Sequence, residues 1–128
     1  MNPDPSPQRP KPRAGLAHVL DAAGYSLAGL RRLVRESAVR LEMLGLIAGA
    51  VLLVFAGVSP ARWAIFFGLC LLVLIVETLN TALEVLTDHV SPEWSAAARD
   101  AKDLGSLAVA FSLITVAGFL GGTLTGLF

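Results

Sequence analysis

Three long apolar segments constrain this chain more than any other feature. They run from about Met43 to Val58, Trp63 to Leu86 and Leu104 to Phe128, each near the roughly 20 residues that a helix needs to cross a bilayer. With 55% of all residues hydrophobic, a water-soluble domain of this length is excluded and membrane residence is expected. Spans are placed at about 39–58, 62–86 and 104–127, joined first by a tight turn at Ser59 and Pro60 and then by the polar connection Asp88 to Lys102. Pro92 is expected to open a short helical turn there with Ser91 as its cap. Neither strand-like alternation nor an internal repeat occurs, so the fold class is an all-α membrane protein.

Ahead of the spans, Leu16, Val19, Leu20, Ala23, Leu27, Leu30 and Val34 recur at spacings of three and four, the pattern of one apolar helix face. Arg31, Arg32 and Arg35 near its end suit a basic amphipathic helix on the membrane surface, with anionic lipid headgroups as neighbours. Gly24 and Gly29 argue against one unbroken helix. The first residues, "MNPDPSPQRPKPR", have prolines where a signal peptide needs an apolar core. Residues 1–14 are read as a disordered cytoplasmic tail and 15–128 as a single membrane-embedded domain.

Ten basic and ten acidic residues cancel, and nothing in the balance points to nucleic acid. Their placement is informative: Arg9, Lys11, Arg13, Arg31, Arg32, Arg35 and Arg40 precede the first apolar core. The positive-inside rule then sets the N-terminus and the second connection in the cytoplasm, with "GVSPAR" and the C-terminus outside. Cys70, the only cysteine, can form no intramolecular disulfide and is assigned to packing.

The second span ends in "IVETLNTALEVLTDHV". At about 100° per residue, Glu77, Asn80, Glu84 and Asp88 fall on one helix face, opposite Leu79, Leu83 and Leu86. Ionisable residues at membrane depth are costly and mark function. Here they line up at the cytoplasmic boundary rather than at the midplane, where a transporter's carboxylate belongs. Glu36 and Glu42 before the first span, and Lys102 and Asp103 before the third, face the same boundary. Carboxylates from different helices can hold Mg²⁺ through oxygen, and a lysine adds a point charge for phosphate. One further carboxylate is left as a general base. No G-x-x-x-x-G-K-[ST] loop and no G-x-G-x-x-G element is present. The residues alone leave three classes open: an interfacial enzyme acting on a phosphate-bearing substrate, a small proton-coupled transporter, and a structural assembly.

The elements "VETLNTALEVLTD" and "AKDLGSLAV", with "AAGYSLAGL" and "ESAVRLE" upstream, resemble the signature of the bacterial integral-membrane diacylglycerol kinases, a family that includes the undecaprenol kinases. The resemblance covers about Leu16 to Phe128, and "AAGYS" is closer to the diacylglycerol kinase branch. It implies a homotrimeric bundle in the bacterial inner membrane, each subunit with an N-terminal amphipathic surface helix, three transmembrane helices and a cytoplasmic N-terminus. The implied reaction is transfer of the gamma-phosphate of MgATP to the hydroxyl of diacylglycerol, giving phosphatidic acid, with undecaprenol as the alternative acceptor.

By position, Glu77 would be the catalytic base and Glu36 and Glu84 the Mg²⁺ ligands. ATP would meet Tyr25, Glu36, Glu84, Glu93, Trp94, Ser95, Lys102 and Asp103, and the lipid substrate Tyr25, Ser26, Arg31, Glu77, Asn80 and Ser106. The chain departs from the family where His18 and Asp100 stand in place of basic residues and where Trp94 and Ser95 replace other side chains. From the residues themselves, Glu77 could instead be a terminal carboxylate paired with Arg40 or Lys102. Glu42 is read as a supporting residue, Asp88 as either part of the stripe or simply solvated, and Trp63 and Trp94 as interface anchors.

Overall fold

The computed structural model describes residues 14–127, and the expected tail over 1–14 lies, but for Ala14, outside them. Four helices follow one another: α1 (Leu16–Leu33), α2 (Ser37–Phe55), α3 (Pro60–Val90) and α4 (Ala96–Leu124). The chain divides at Arg32 into two compact units. In the first, α1 is one unbroken helix of 18 residues, so Gly24 and Gly29, neither of which has a neighbour near its missing Cβ, do not interrupt it. Leu16, Val19, Leu20, Leu27 and Leu30 are all exposed along it, as the interfacial reading requires. Arg31 and Arg32 fall in the last turn, where a helix favours positive charge. Val34 lies beyond the helix, in a turn.

In the second unit, α2, α3 and α4 are each long and apolar enough to cross a membrane. They pack up, down and up. The C-terminal half of α2, the N-terminal half of α3 and the C-terminal half of α4 meet in one apolar cluster of Leu53, Phe66, Val73 and Val116. Trp63 adds an edge-on contact to Phe66 at 6.1 Å between ring centroids, and partly buried Cys70 belongs to the same cluster, the packing role expected of it. Gly49 lets α2 close on this cluster: a Cβ there would come within 2.8 Å of Leu120 Cδ1. At the end of α2, Gly57 takes φ +60°, a left-handed terminus that only glycine adopts without strain, and it returns Val58 to the cluster. Pro60 occupies the first turn of α3, where its missing N–H costs nothing.

The second connection departs from expectation. Ser91 ends α3, its N–H bonding Thr87 C=O at 2.8 Å, and does not cap a helical turn at Pro92. Proline withdraws the next donor and disfavours helical backbone just before it. The cap belongs to Ser95, whose Oγ accepts from Ala98 N–H at 3.1 Å and meets Ser91 Oγ at 3.0 Å. The helices also outrun the apolar segments: α3 continues to Val90 rather than stopping near 86, and α4 begins at Ala96 rather than 104. At 1.5 Å per residue, α3 is about 46 Å long against about 30 Å of hydrocarbon. The excess is a polar helical hairpin, with only residues 91–95 left as loop.

Because the surrounding lipid is as apolar as leucine, core packing here is held by close contact more than by removal from water. Leu53→Ala, at a fully buried position, is expected to destabilise by about 1–2 kcal/mol, below the range usual for aqueous cores. Leu79→Ala, at a side chain 65% exposed, should stay within about 0.5 kcal/mol. Unfolding by sodium dodecyl sulfate in mixed micelles measures both.

Candidate active site

One face of α3 carries both the core and the polar residues. Phe66, Cys70 and Val73 face inward at spacings of three and four, and Glu77, Asn80, Thr81 and Glu84 continue the same stripe toward the other end of the helix. The α2 stripe runs through Leu53, Ala50, Leu46, Glu42, Val39 and Glu36, and the α4 stripe through Val116, Ser112, Val109, Ser106 and Lys102. Where the apolar residues stop, the three helices enclose a cavity of about 180 Å³ lined by Glu36, Glu42, Glu77, Asn80, Thr81, Glu84 and Ser106, with Ala38, Val39 and Val109 completing it.

Four carboxyl groups therefore share one small space, and its lining includes no lysine, arginine or histidine. Glu77 is 5% exposed, held between α2 and α4. The Glu42 carboxyl lies beside that of Glu77, and its Oε2 is buried without a hydrogen-bond partner. Glu84 receives Asn80 Nδ2 at 3.0 Å, which fixes one of its oxygens and leaves the other to the cavity. Glu42, read from the sequence as a supporting residue, lines the same cavity. Its spacing from Val39 puts it on the buried face of α2, while Glu36 is the N-cap just ahead of that helix.

Asp88, one turn beyond Glu84, belongs to a second cavity of about 310 Å³ that also includes Glu93, Trp94, Ser95, Arg99 and Lys102. Asp88 is neither a member of the carboxylate cluster nor merely solvated: Lys102 Nζ donates to its Oδ1 at 2.5 Å. Lys102 is thus engaged by Asp88 rather than by Glu77. Trp94 is 79% exposed, with its indole open to stacking. Neither of these two cavities includes Asp103, whose Oδ2 lies 4.0 Å from Arg99 Nε. Asp100, one of the departures from the family pattern, takes Arg99 at 2.8 Å, so the neighbouring cation is shared between two carboxylates. Tyr25, Ser26, Arg31 and His18 stand on α1 in the other unit, where Tyr25 is 70% exposed and Ser26 Oγ bonds Ala22 C=O at 3.0 Å.

No three acidic, histidine or cysteine side chains among the described residues gather closely enough to hold a metal ion alone. Carboxylates on two helices around one cavity, with a buried carboxyl oxygen lacking a partner, nonetheless fit a hard cation that takes its remaining oxygens from a phosphate and water. Chemically, the arrangement can draw a proton at Glu77 while an adjoining polar cleft receives an anion near Lys102.

Comparison with known proteins places the sequence. The family model described as prokaryotic diacylglycerol kinase matches residues 24–124. The chain is 40% identical over 114 residues to a diacylglycerol kinase of Pseudomonas aeruginosa, covering 87% of this chain and 93% of that one. It is 38% identical over 96 residues to one of Sinorhizobium sp, covering 75% and 70%, and 34% identical over 101 residues to that of Escherichia coli K12, covering 78% and 83%. With a match over most of its length, including both cavities, the chain belongs to the prokaryotic diacylglycerol kinase family.

Proposed function

We propose that this membrane kinase transfers the gamma-phosphate of MgATP to the primary hydroxyl of diacylglycerol at the cytoplasmic face of the bacterial inner membrane, giving phosphatidic acid. The observation that carries the reading is the buried Glu77 in a cavity of carboxylates, whose Glu84 stands one helical turn from Asp88 in a polar cleft that also holds Trp94 and Lys102. The relatives' shared name supports diacylglycerol over undecaprenol as acceptor.

The residues divide the work by position. Glu77 accepts the proton of the lipid hydroxyl as its oxygen bonds to the gamma-phosphorus and the bond to the ADP oxygen breaks, so ADP leaves and no phosphoenzyme is required. Glu36 and Glu84 would hold Mg²⁺, which would supply positive charge against the phosphates. Asn80 holds Glu84 in place through its amide. Lys102 places a positive charge at the nucleotide phosphates, with Asp88 fixing its ammonium, and Trp94 offers a face to the adenine. Tyr25, Ser26, Arg31, Ser95, Glu93, Asp103 and Ser106 complete the assignments to nucleotide and lipid. The diacylglycerol enters sideways between helices, its tails remaining in lipid, and a homotrimer is the assembly proposed.

In mixed micelles, ATP consumption is expected only when both a lipid alcohol and Mg²⁺ are present. Glu77→Gln should lower the rate by roughly 10²–10⁴-fold with the helical content unchanged. ATP-independent, pH-driven uptake into sealed vesicles, or activity retained in Glu77→Gln, contradicts the proposal. A labelled-ATP assay comparing diacylglycerol with undecaprenol decides the acceptor. The Lys102 to Asp88 pair gives a graded expectation, since both side chains are substantially exposed. Asp88→Asn should raise the KM for MgATP less than about fivefold, because exposed pairs are worth under about 1 kcal/mol. Lys102→Ala, which removes the phosphate contact itself, should raise it roughly tenfold or more.

A further inference from the structure

At Gly105 the backbone of α4 comes close to the polar half of α3. A Cβ placed there would collide with Asn80 Oδ1 and come within 3.3 Å of Asn80 Cγ and Leu83 Cδ2. The space a side chain would fill is thus filled by the Asn80 amide. Asn80 Oδ1 is buried with no N–H or O–H partner and faces the hydrogen that glycine carries in place of a Cβ, a weak C–H to oxygen contact of the kind that recurs between closely packed helices. The other end of the same amide donates to Glu84 Oε1 at 3.0 Å. The amide is therefore clamped between the α4 backbone and the Glu84 carboxylate. A group with only one torsion left beyond its χ1 cannot move at one end without moving at the other.

We propose that Gly105 is a positioning residue: by lacking a side chain it seats Asn80, and through Asn80 it sets the Glu84 carboxylate toward a divalent cation carrying a nucleoside triphosphate. The inference rests on the reading of Glu84 as a ligand for that cation. Gly49 marks the difference in kind. Its missing Cβ faces Leu120 Cδ1 at 2.8 Å and the Phe66 ring at 3.4 Å, apolar groups of the core, so a methyl there disturbs packing alone. Gly121 has nothing within 4 Å of its missing Cβ and serves as the neutral comparison on the same helix.

The test uses the full chain in mixed micelles with Mn²⁺ and a non-hydrolysable ATP analogue, bound Mn²⁺ being read by electron paramagnetic resonance and thermal stability measured alongside. Gly105→Ala is expected to weaken Mn²⁺ and nucleotide binding by roughly 10–100-fold, the usual cost of losing a residue that orients a ligand, while Gly121→Ala leaves it unchanged. Asn80→Ser, which demands no new space, should weaken binding by the same factor. Gly105→Ala introduced into Asn80→Ser should then add nothing, because the group it displaces is gone. Unchanged binding in Gly105→Ala or in Asn80→Ser overturns the inference, and so do losses that multiply in the double variant. Glu84→Gln separates the two levels. If it leaves Mn²⁺ binding intact, the cation reading itself fails; if it abolishes binding while Gly105→Ala does not, only the role of Gly105 fails.

Discussion

Four carboxyl groups gathered in one cavity at the end of an apolar helix bundle is the constraint on which the rest of this structure depends. Lipid on the outer faces forbids the escape of these side chains into water on that side. The helices α3 and α4 are longer than a bilayer's hydrocarbon needs, and the acids stand toward the ends where they join. Asn80, Thr81 and Ser106 are the neutral polar residues among its lining.

A single register on α3 serves stability and chemistry together. Phe66 and Val73 are packed against Leu53 and Val116, and the helix that they anchor delivers Glu77, Asn80 and Glu84 on the same face one to three turns later. The antiparallel neighbours do likewise, so each helix has an apolar half that fixes its axis and a polar half that lines the cavity. Placement of the acids thus comes from contacts that begin about 6 Å away along the helix, Val73 standing four residues before Glu77 at about 1.5 Å per residue. The loop does little of this work. Its five residues, 91–95, connect two helix ends whose own side chains, Asp88 and Lys102, already meet.

Much of this was legible in the sequence because membranes enforce simple rules. The number of spans, the surface helix and the shared face of Glu77, Asn80 and Glu84 follow from hydropathy and a 3.6-residue period, and the described helices agree with them. Helix ends were not legible in the same way. Hydropathy reports where lipid stops, whereas the backbone hydrogen-bond ladder continued through Thr87 to Val90 and began again at Ala96, where three alanines favour it. The cap moved from Ser91 to Ser95 for the same reason. Glu42 is read from the sequence as a supporting residue, and only the fold reveals that α2 turns it toward Glu77. Pairings across helices, such as Lys102 with Asp88 and Gly105 with Asn80, depend on the relative rotation of two helices, which no single-helix period contains.

The sizes of the two cavities bear on how the reaction is organised. About 180 Å³ around the carboxylates is less than the roughly 300–1,000 Å³ of a typical small-molecule site, while the adjoining cleft at Lys102 holds about 310 Å³. Neither could take a nucleoside triphosphate together with a lipid glycerol. The division instead suits the reacting atoms in the acidic cavity and the nucleotide body in the cleft, with the lipid supplying its own remaining wall. No more than 28% of the apolar stretch of any span is buried within the chain, so the helices present most of their surface outward. Apolar side chains such as Leu71, Ile75 and Leu79 are exposed on the outer face of α3, opposite the acids. For a substrate that never leaves the bilayer, an open side is a functional necessity: a closed pocket would require the lipid to shed its solvent, whereas a cleft between helices needs only its hydroxyl to reach the boundary.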